Sequence, residues 1–324
     1  MSILVLMDVN EKQKKQLEAA APSVKFIYAS PDSVGGEQLG TAEVILGNPS
    51  PEKLKTAVHL KWLQLQSAGA AEYVQPGVLR DGVFLTNASG AYGQAVAEHM
   101  LALLFMLYKK LHLYRDNQHR SLWQDAGPVR SIRGATVLIV GAGDIGGTLA
   151  QLLHVLGAYT VGVRRQEGIK PGYLDELYTN ERLDDLLPRA DIVALCVPGT
   201  PETTHMINAE RLGRMKETAV LLNAGRGNAV DTTALCAALQ NGRLLGAGVD
   251  VTDPEPLPPE HLLWTLPNCI ITPHVSGGKH LSETFDRIID ITVQNLRAYQ
   301  KGNPLINEVD FKSGYSMSLQ APRR

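Results

Sequence analysis

The chain has 324 residues, 44% of them hydrophobic and 20% charged, and its 31 Lys and Arg against 33 Asp and Glu leave a formal net charge of −2. That balance excludes fibrous and disordered classes, and it offers no cationic footprint for nucleic acid or an anionic membrane, because such binding rests on neutralising phosphates. At roughly 100–200 residues per domain the length predicts about two domains, each able to bury its own core.

The N-terminal MSILVLMDVNEKQKK has a short apolar run with no basic segment before it, so it reads as a first strand and not as a secretory leader. Short β-rich runs then alternate with helical segments. A first series comprises Ile3 to Met7, Val24 to Ala29, Val44 to Leu46, Trp62 to Gln66 and Val83 to Thr86. A second begins at Ala135 and runs through TVLIVG, YTVGVRR, DIVALCV, AVLLNAG, LLGAGVDV and CIITPH. This alternation predicts parallel sheets covered by helices, arranged as two α/β lobes in tandem. Gln94 to His119 is expected to form one long helix leading from the first lobe into the second. Its most apolar part, Val96 to Tyr108, contains Glu98 and His99 and is too short and too polar to span a bilayer. Leu281 to Tyr299 places Phe285, Ile288, Ile289, Ile291, Val293 and Leu296 at helical spacing. It is expected to return the chain to the first lobe, leaving Lys312 to Arg324 as a polar tail. Cys196, Cys236 and Cys269 show no CxxC spacing and read as reduced core residues of a cytoplasmic protein.

The sharpest local signal is Val137-Leu138-Ile139-Val140 followed by Gly141-Ala142-Gly143-Asp144-Ile145-Gly146 and a helical TLAQLLHVLGA. A GxGxxG at a strand-to-helix junction fits a dinucleotide: Gly141 permits the tight turn, Gly143 lets backbone approach a pyrophosphate, and Gly146 lets helix pack on strand. The helix N-terminus then offers N–H groups and a positive dipole end to the phosphates. About twenty residues further on, NAD-binding proteins place an acid for the ribose hydroxyls. This chain instead has Arg164-Arg165 after Val163. Two guanidinium groups suit a 2′-phosphate, so NADP is expected as the preferred cofactor with NAD possible. The alternative is a solvated arginine pair at a strand end.

Among nine histidines, His59, His112, His154 and His205 have nothing catalytic beside them. His99, next to Glu98, reads as structural. His274 differs, because it ends a strand in IITPHVSGG, where residues face the ligand crevice of an α/β domain. Arg226 in LNAGRG and Glu255 in DVTDPEPLP occupy similar junctions. The three make a coherent set for reducing a carbonyl next to a carboxylate: a planar fork for the acid, an acid/base near neutrality, and a carboxylate to orient it. Three unrelated structural residues remain the alternative.

The sequence resembles the D-isomer-specific 2-hydroxyacid dehydrogenase family, which includes glyoxylate and hydroxypyruvate reductases. The likeness runs from about Ile3 to Asp310 and rests on GAGDIG, DIVALCVPGTPETTHMIN, LLNAGRGNAVDTTAL, GAGVDVTDPEPLPPEHLLW and NCIITPHVSGG. It implies two Rossmann-like or flavodoxin-like lobes with parallel sheets, the cofactor lobe (99–287) inserted into a substrate lobe (1–98 plus 288–324), and an active site between them. It also implies that Arg226 holds substrate carboxylate and carbonyl, that Glu255 pairs with His274, and that His274 is the acid/base. Asp250 would lie near the nicotinamide carboxamide. Val197, Pro198, Thr203, Ala224 and Gly277 would line the cofactor site, and the Gln66-Ser67-Ala68-Gly69-Ala70 loop would bind substrate carboxylate through backbone N–H groups. Family members are usually homodimers joined through the cofactor lobe, here through Gln94 to Trp123. Two departures narrow the expectation. The chain ends soon after its last helix, which speaks against the regulatory domain of some phosphoglycerate dehydrogenases, and Glu255 stands where formate dehydrogenases place Gln. A nicotinamide-sensing corepressor-like protein of the same fold stays open as an alternative, since such proteins can retain Arg, Glu and His. So does another NADP-linked reduction.

Overall fold

A computed structural model describes residues 1–278, 281–312 and 314. In chain order the first elements are β1 (Ser2–Val5), α1 (Glu11–Ala20), β2 (Lys25–Tyr28), α2 (Gly36–Thr41), β3 (Val44–Leu46), α3 (Pro51–Leu54), β4 (Trp62–Gln64) and β5 (Phe84–Thr86). They are followed by α4 (Gly93–Tyr108), α5 (Leu111–His119), β6 (Thr136–Val140), α6 (Asp144–Val155), β7 (Tyr159–Arg164) and β8 (Glu176–Thr179). Next come α7 (Leu183–Leu186), β9 (Ile192–Leu195), α8 (Ala209–Arg214), β10 (Val220–Asn223), α9 (Thr232–Gln240), β11 (Gly246–Val249), β12 (Cys269–Ile271) and α10 (Ser282–Gln300). One unit is formed by Met1–Tyr92 with the described residues from 281 on, the other by Gly93–Gly278. The divisions fall ahead of α4 and α10, some residues before positions 98 and 288, so neither helix is cut. Of the polar tail read from the sequence, only 312 and 314 are among the described residues.

In the first unit the strands are all parallel in the order β2-β1-β3-β4-β5. Such a sheet is covered on both faces, which is why its short strands are almost wholly apolar. Leu4, Ile45, Leu63 and Leu85 enter one core. Alternate residues Ile3, Val5, Val44, Leu46 and Trp62 enter the other, together with Leu17 of α1 and Ile288, Ile289 and Leu296 of α10. α10 is fixed there by polar contacts as well as apolar ones. Buried Asn295 donates from Nδ2 to Gln64 Oε1 at 2.8 Å and accepts from the Ile306 N–H at 2.8 Å, so its amide is satisfied inside the core. The Trp62 and Tyr299 rings stack with centroids 5.1 Å apart.

The second unit has seven parallel strands in the order β12-β11-β10-β9-β6-β7-β8. The chain starts at β6, builds outward through β7 and β8, then crosses back to β9. The order therefore reverses between β6 and β9, the place where an open α/β sheet leaves a crevice beyond its strand ends. β8 was not foreseen, because Glu176–Thr179 is a short edge strand of half-buried residues without an apolar run. The single helix expected over Gln94 to His119 is two helices. Lys110 adopts a left-handed backbone with φ 57°, which ends α4 and starts α5 in a new direction. Among the described residues no helix is long and apolar enough to cross a membrane.

Candidate active site

Gly141 follows β6 with φ +95°, and a Cβ there would stand 2.7 Å from the Cys196 carbonyl oxygen on the loop after β9. A Cβ on Gly146 would stand 2.4 Å from the Gly141 oxygen, so neither position admits a side chain. Gly143 is the opposite case, since nothing lies within 4 Å of where its Cβ would be. It is the N-cap of α6, and among the described residues no side chain caps that helix. Asp144, Ile145 and Gly146 supply the first helical turn. The N-terminal end of α6, with the positive end of its dipole, thus borders open space at Gly143, and a pyrophosphate fits both the room and the charge. Cys196 behind the loop is not a reactive group there: burial pushes its thiol up to about 12, and its sulfur lies 3.8 Å from Met100 Sδ.

Arg164, at the end of β7, donates from Nε to the Ala142 oxygen at 2.9 Å and so ties the glycine loop to the neighbouring strand. Arg165 is exposed and lies within electrostatic reach of Glu202. That carboxyl is held below its ordinary value first by its own backbone N–H, then by Thr200, with Arg165 adding least. In the loop after β9, Val197 is buried and Pro198 exposed. Thr203 donates to the Pro198 oxygen at 2.7 Å and accepts from the Thr200 N–H at 2.9 Å, which uses its hydroxyl to close that loop.

At the end of β10, Asn223 was missed by the sequence reading. Its Oδ1 accepts from the Gly225 N–H at 3.1 Å and its Nδ2 donates to the Arg226 oxygen at 3.0 Å, so it shapes the turn that carries Arg226. Ala224 is buried within that turn. Arg226 is half-buried and spends one donor on the Gly225 oxygen at 2.7 Å. It forms no salt bridge among the described residues. Burial pushes its guanidinium pKa down, while the Glu255 carboxylate acts in the opposite sense. The result is a partly desolvated cation with donors to spare, which is what binds a planar carboxylate in two contacts.

The ends of β11 and β12 hold the remaining groups. His274 Nδ1 stands 2.5 Å from Glu255 Oε1. A carboxylate only accepts, so Nδ1 carries the proton in that contact and Nε2 is left as the exchanging nitrogen. Both side chains are exposed, and Glu255 sits between two cis peptide bonds, Asp253-Pro254 and Glu255-Pro256. His274 has φ 52°, uncommon for any residue but glycine. Buried Asp250 supports that turn with its whole carboxylate. Its Oδ1 accepts from Thr272 Oγ1 at 2.6 Å and from the Val275 N–H at 3.0 Å, and its Oδ2 accepts from the Ser276 N–H at 3.0 Å and the Ser276 hydroxyl at 2.5 Å. Gly277 lies half-buried in the same turn. Thr272 and Ser276 were also missed, although both flank His274 in TPHVSGG. A side-chain donor two residues either side of a candidate acid/base was the available signal.

Ser67, Ala68 and Gly69 belong to the first unit, in the loop beyond β4. Asn48 Oδ1 accepts from the Gln66 N–H at 2.9 Å and its Nδ2 donates to Ser67 Oγ at 2.9 Å, while Ser67 Oγ donates to the Gly69 oxygen at 2.7 Å. The Ala68 oxygen accepts from Asn87 Nδ2 at 2.7 Å, and the Ser67 oxygen from the Ala88 N–H at 2.9 Å. The loop's carbonyls are therefore occupied. No described residue accepts from the N–H groups of Ser67, Ala68 or Gly69, which leaves successive donors open to an anion.

The family model described as D-isomer specific 2-hydroxyacid dehydrogenase, NAD binding domain, matches residues 101–276. A glyoxylate reductase of Thermofilum pendens is 33% identical over 260 residues, covering 78% of this chain and 75% of that protein. Glyoxylate/hydroxypyruvate reductase B of Escherichia fergusonii is 31% identical over 315 residues, 93% of this chain and 95% of that one. The crystal structure of a D-isomer specific 2-hydroxyacid dehydrogenase from Xanthobacter autotrophicus in complex with NADPH and MES matches with a TM-score of 0.82 at 27% identity, covering 97% of this chain and 99% of the other.

Proposed function

Because the chain belongs to the D-isomer-specific 2-hydroxyacid dehydrogenase family, and is thus an oxidoreductase with an NAD(P)-binding domain, we propose that it reduces a small 2-oxo acid to the D-2-hydroxy acid with NADPH as its preferred donor. The observation that carries this reading is the meeting, at the ends of β10, β11 and β12, of a partly desolvated Arg226 and a His274 backed at 2.5 Å by Glu255.

Arg226 holds the substrate carboxylate and the adjoining carbonyl oxygen, which fixes the carbonyl carbon in place. The N–H groups of Ser67, Ala68 and Gly69 are a second carboxylate-binding element. The bound nicotinamide supplies the hydride. His274 gives the Nε2 proton to the carbonyl oxygen as negative charge develops there, and takes it back from the hydroxyl in the reverse direction. Glu255 keeps the ring in one orientation by accepting from Nδ1. Gly141, Gly143, Asp144, Ile145 and Gly146 hold the pyrophosphate, Val197, Pro198, Thr203, Ala224 and Gly277 line the remainder of the cofactor site, and Asp250 shapes the turn beside the nicotinamide. The same reading makes the protein a cytoplasmic homodimer joined through the second unit. Exposed Leu111, Leu122, Trp123 and Val129, on and after α5, supply apolar surface for that contact.

Initial rates with NADPH and NADH against small and bulky 2-oxo acids test the proposal. Fast NADPH-dependent reduction of one small acid is the expected result. NADPH binding without turnover of any acid would overturn it in favour of a nicotinamide sensor, and turnover of carbonyls lacking a carboxylate would overturn the substrate class.

The cofactor preference rests on Arg164 and Arg165, and the NADPH complex of the Xanthobacter enzyme supports it. Removing both guanidinium groups as Arg164→Ala with Arg165→Ala is expected to raise the NADPH KM by about a hundredfold or more, since hydrogen bonds to charged groups are worth about 1.5–3 kcal/mol each. The NADH KM should rise only a few-fold, about the cost of one net hydrogen bond, because Arg164 also ties down Ala142. An unchanged NADPH-to-NADH ratio would make the pair a surface feature.

A further inference from the structure

His99, on α4, lies outside the groups assigned above, yet it reaches their support. Its Nε2 is 2.9 Å from Thr272 Oγ1 and 3.7 Å from Asp250 Oδ1. Thr272 Oγ1 in turn stands 2.6 Å from Asp250 Oδ1. The direction of this chain follows from counting protons. Asp250 receives two backbone N–H groups and the Ser276 hydroxyl at its other acceptor positions, so the proton shared with Thr272 belongs to Thr272. A hydroxyl has one proton, and with it directed at Asp250, Thr272 accepts from His99. Nε2 of His99 is therefore the donor.

What this chain braces is the backbone of His274. The Asp250 carbonyl oxygen accepts the His274 N–H at 2.7 Å, the Asp250 carboxylate accepts the next two backbone N–H groups, and His274 itself stands at φ 52°. A left-handed non-glycine residue persists where its surroundings over-determine it. Losing a donor at the far end of the chain leaves Thr272 half-satisfied and loosens the Asp250 carboxylate, and a small misplacement of a proton donor is costly in rate.

We propose that His99 is a positioning residue for the reaction: through Thr272 and Asp250 it holds the turn that aims His274. The proposal rests on His274 being the acid/base, so His274→Gln is measured in parallel. In the full-length protein, His99→Leu is expected to lower kcat about tenfold, the worth of one hydrogen bond in such a network, while the KM for NADPH stays within about twofold. His99→Gln, whose amide donates from a similar reach, is expected to recover all but about threefold of the rate. Thr272→Val removes the middle of the chain without changing side-chain shape, and serves if the leucine variant fails to fold. Its loss should not add to that of His99→Leu. A parental kcat in both His99→Leu and Thr272→Val would overturn the inference. Equal losses in the leucine and glutamine variants would also overturn it, since ring packing would then be the cause. If His274→Gln keeps its turnover, the acid/base assignment fails and the inference with it. If His274→Gln is inactive while His99→Leu and Thr272→Val turn over normally, the inference alone fails.

Discussion

His274→Ala is expected to lower kcat by about a hundredfold to ten-thousandfold, the usual contribution of a general acid, while the dissociation constant for NADPH stays within about twofold. The split follows from where the residue stands. His274 is an exposed side chain just beyond β12, whereas the glycine loop proposed for the dinucleotide pyrophosphate follows β6, with three strands between them in the sheet order. One complication is the backbone. Alanine at φ 52° is disfavoured by about 1–2 kcal/mol, so part of a rate loss could come from the turn relaxing. Asparagine tolerates the left-handed region, and His274→Asn therefore isolates the imidazole. Rates at saturating 2-oxo acid, with NADPH binding followed by fluorescence, check the prediction. Parental turnover in His274→Asn would remove the acid/base role, and a matching loss of NADPH affinity would move the residue to the cofactor site.

Much of the architecture was legible because its signals are local. Strands such as Val137 to Val140 are continuous apolar runs, as a sheet covered on both faces demands, and Gly141 and Gly146 after them occupy positions that admit no side chain. The missed elements lack such signals. β8 is an edge strand whose half-buried residues need not be apolar, and the break at Lys110 depends on a backbone angle that lysine does not advertise. The candidate site divides in the same way. Arg226, Glu255 and His274 could be picked out because each combines an uncommon residue type with a strand end. Asn223 could not, since its work is to hydrogen-bond a turn that exists only once the strands are assembled, and Thr272 and Ser276 showed only as donors flanking His274. Gly143 marks the boundary between the two cases: its type was readable, but the open space beside it belongs to the folded chain.

Arg226→Gln is expected to reduce kcat/KM by about thirtyfold to several thousandfold without lowering the melting temperature. The two halves of this prediction have one cause. Burial already disfavours the charged guanidinium, and among the described residues no salt bridge offsets it, only the Gly225 carbonyl and the field of Glu255. A group whose charged form is penalised by folding contributes unfavourably to stability. Because arginine stays protonated at any accessible pH, that cost is the same throughout and no titration relieves it. Replacing the cation with a neutral amide removes the penalty, so the variant should melt at the same temperature or slightly higher, the usual relation where function demands a strained site. The rate loss reflects the other side of the balance. In the proposed function a substrate carboxylate supplies the missing anion in a bidentate contact, and truncating one member of such a desolvated pair typically costs about 2–5 kcal/mol. Because the anchored carboxylate also orients the carbonyl, kcat falls together with binding. Arg226→Lys keeps the charge but not the fork, and should recover only a small part of the activity. A sharply lowered melting temperature with kcat/KM intact would mean that Arg226 is held for structure. Loss confined to NADPH affinity would instead place it on the cofactor.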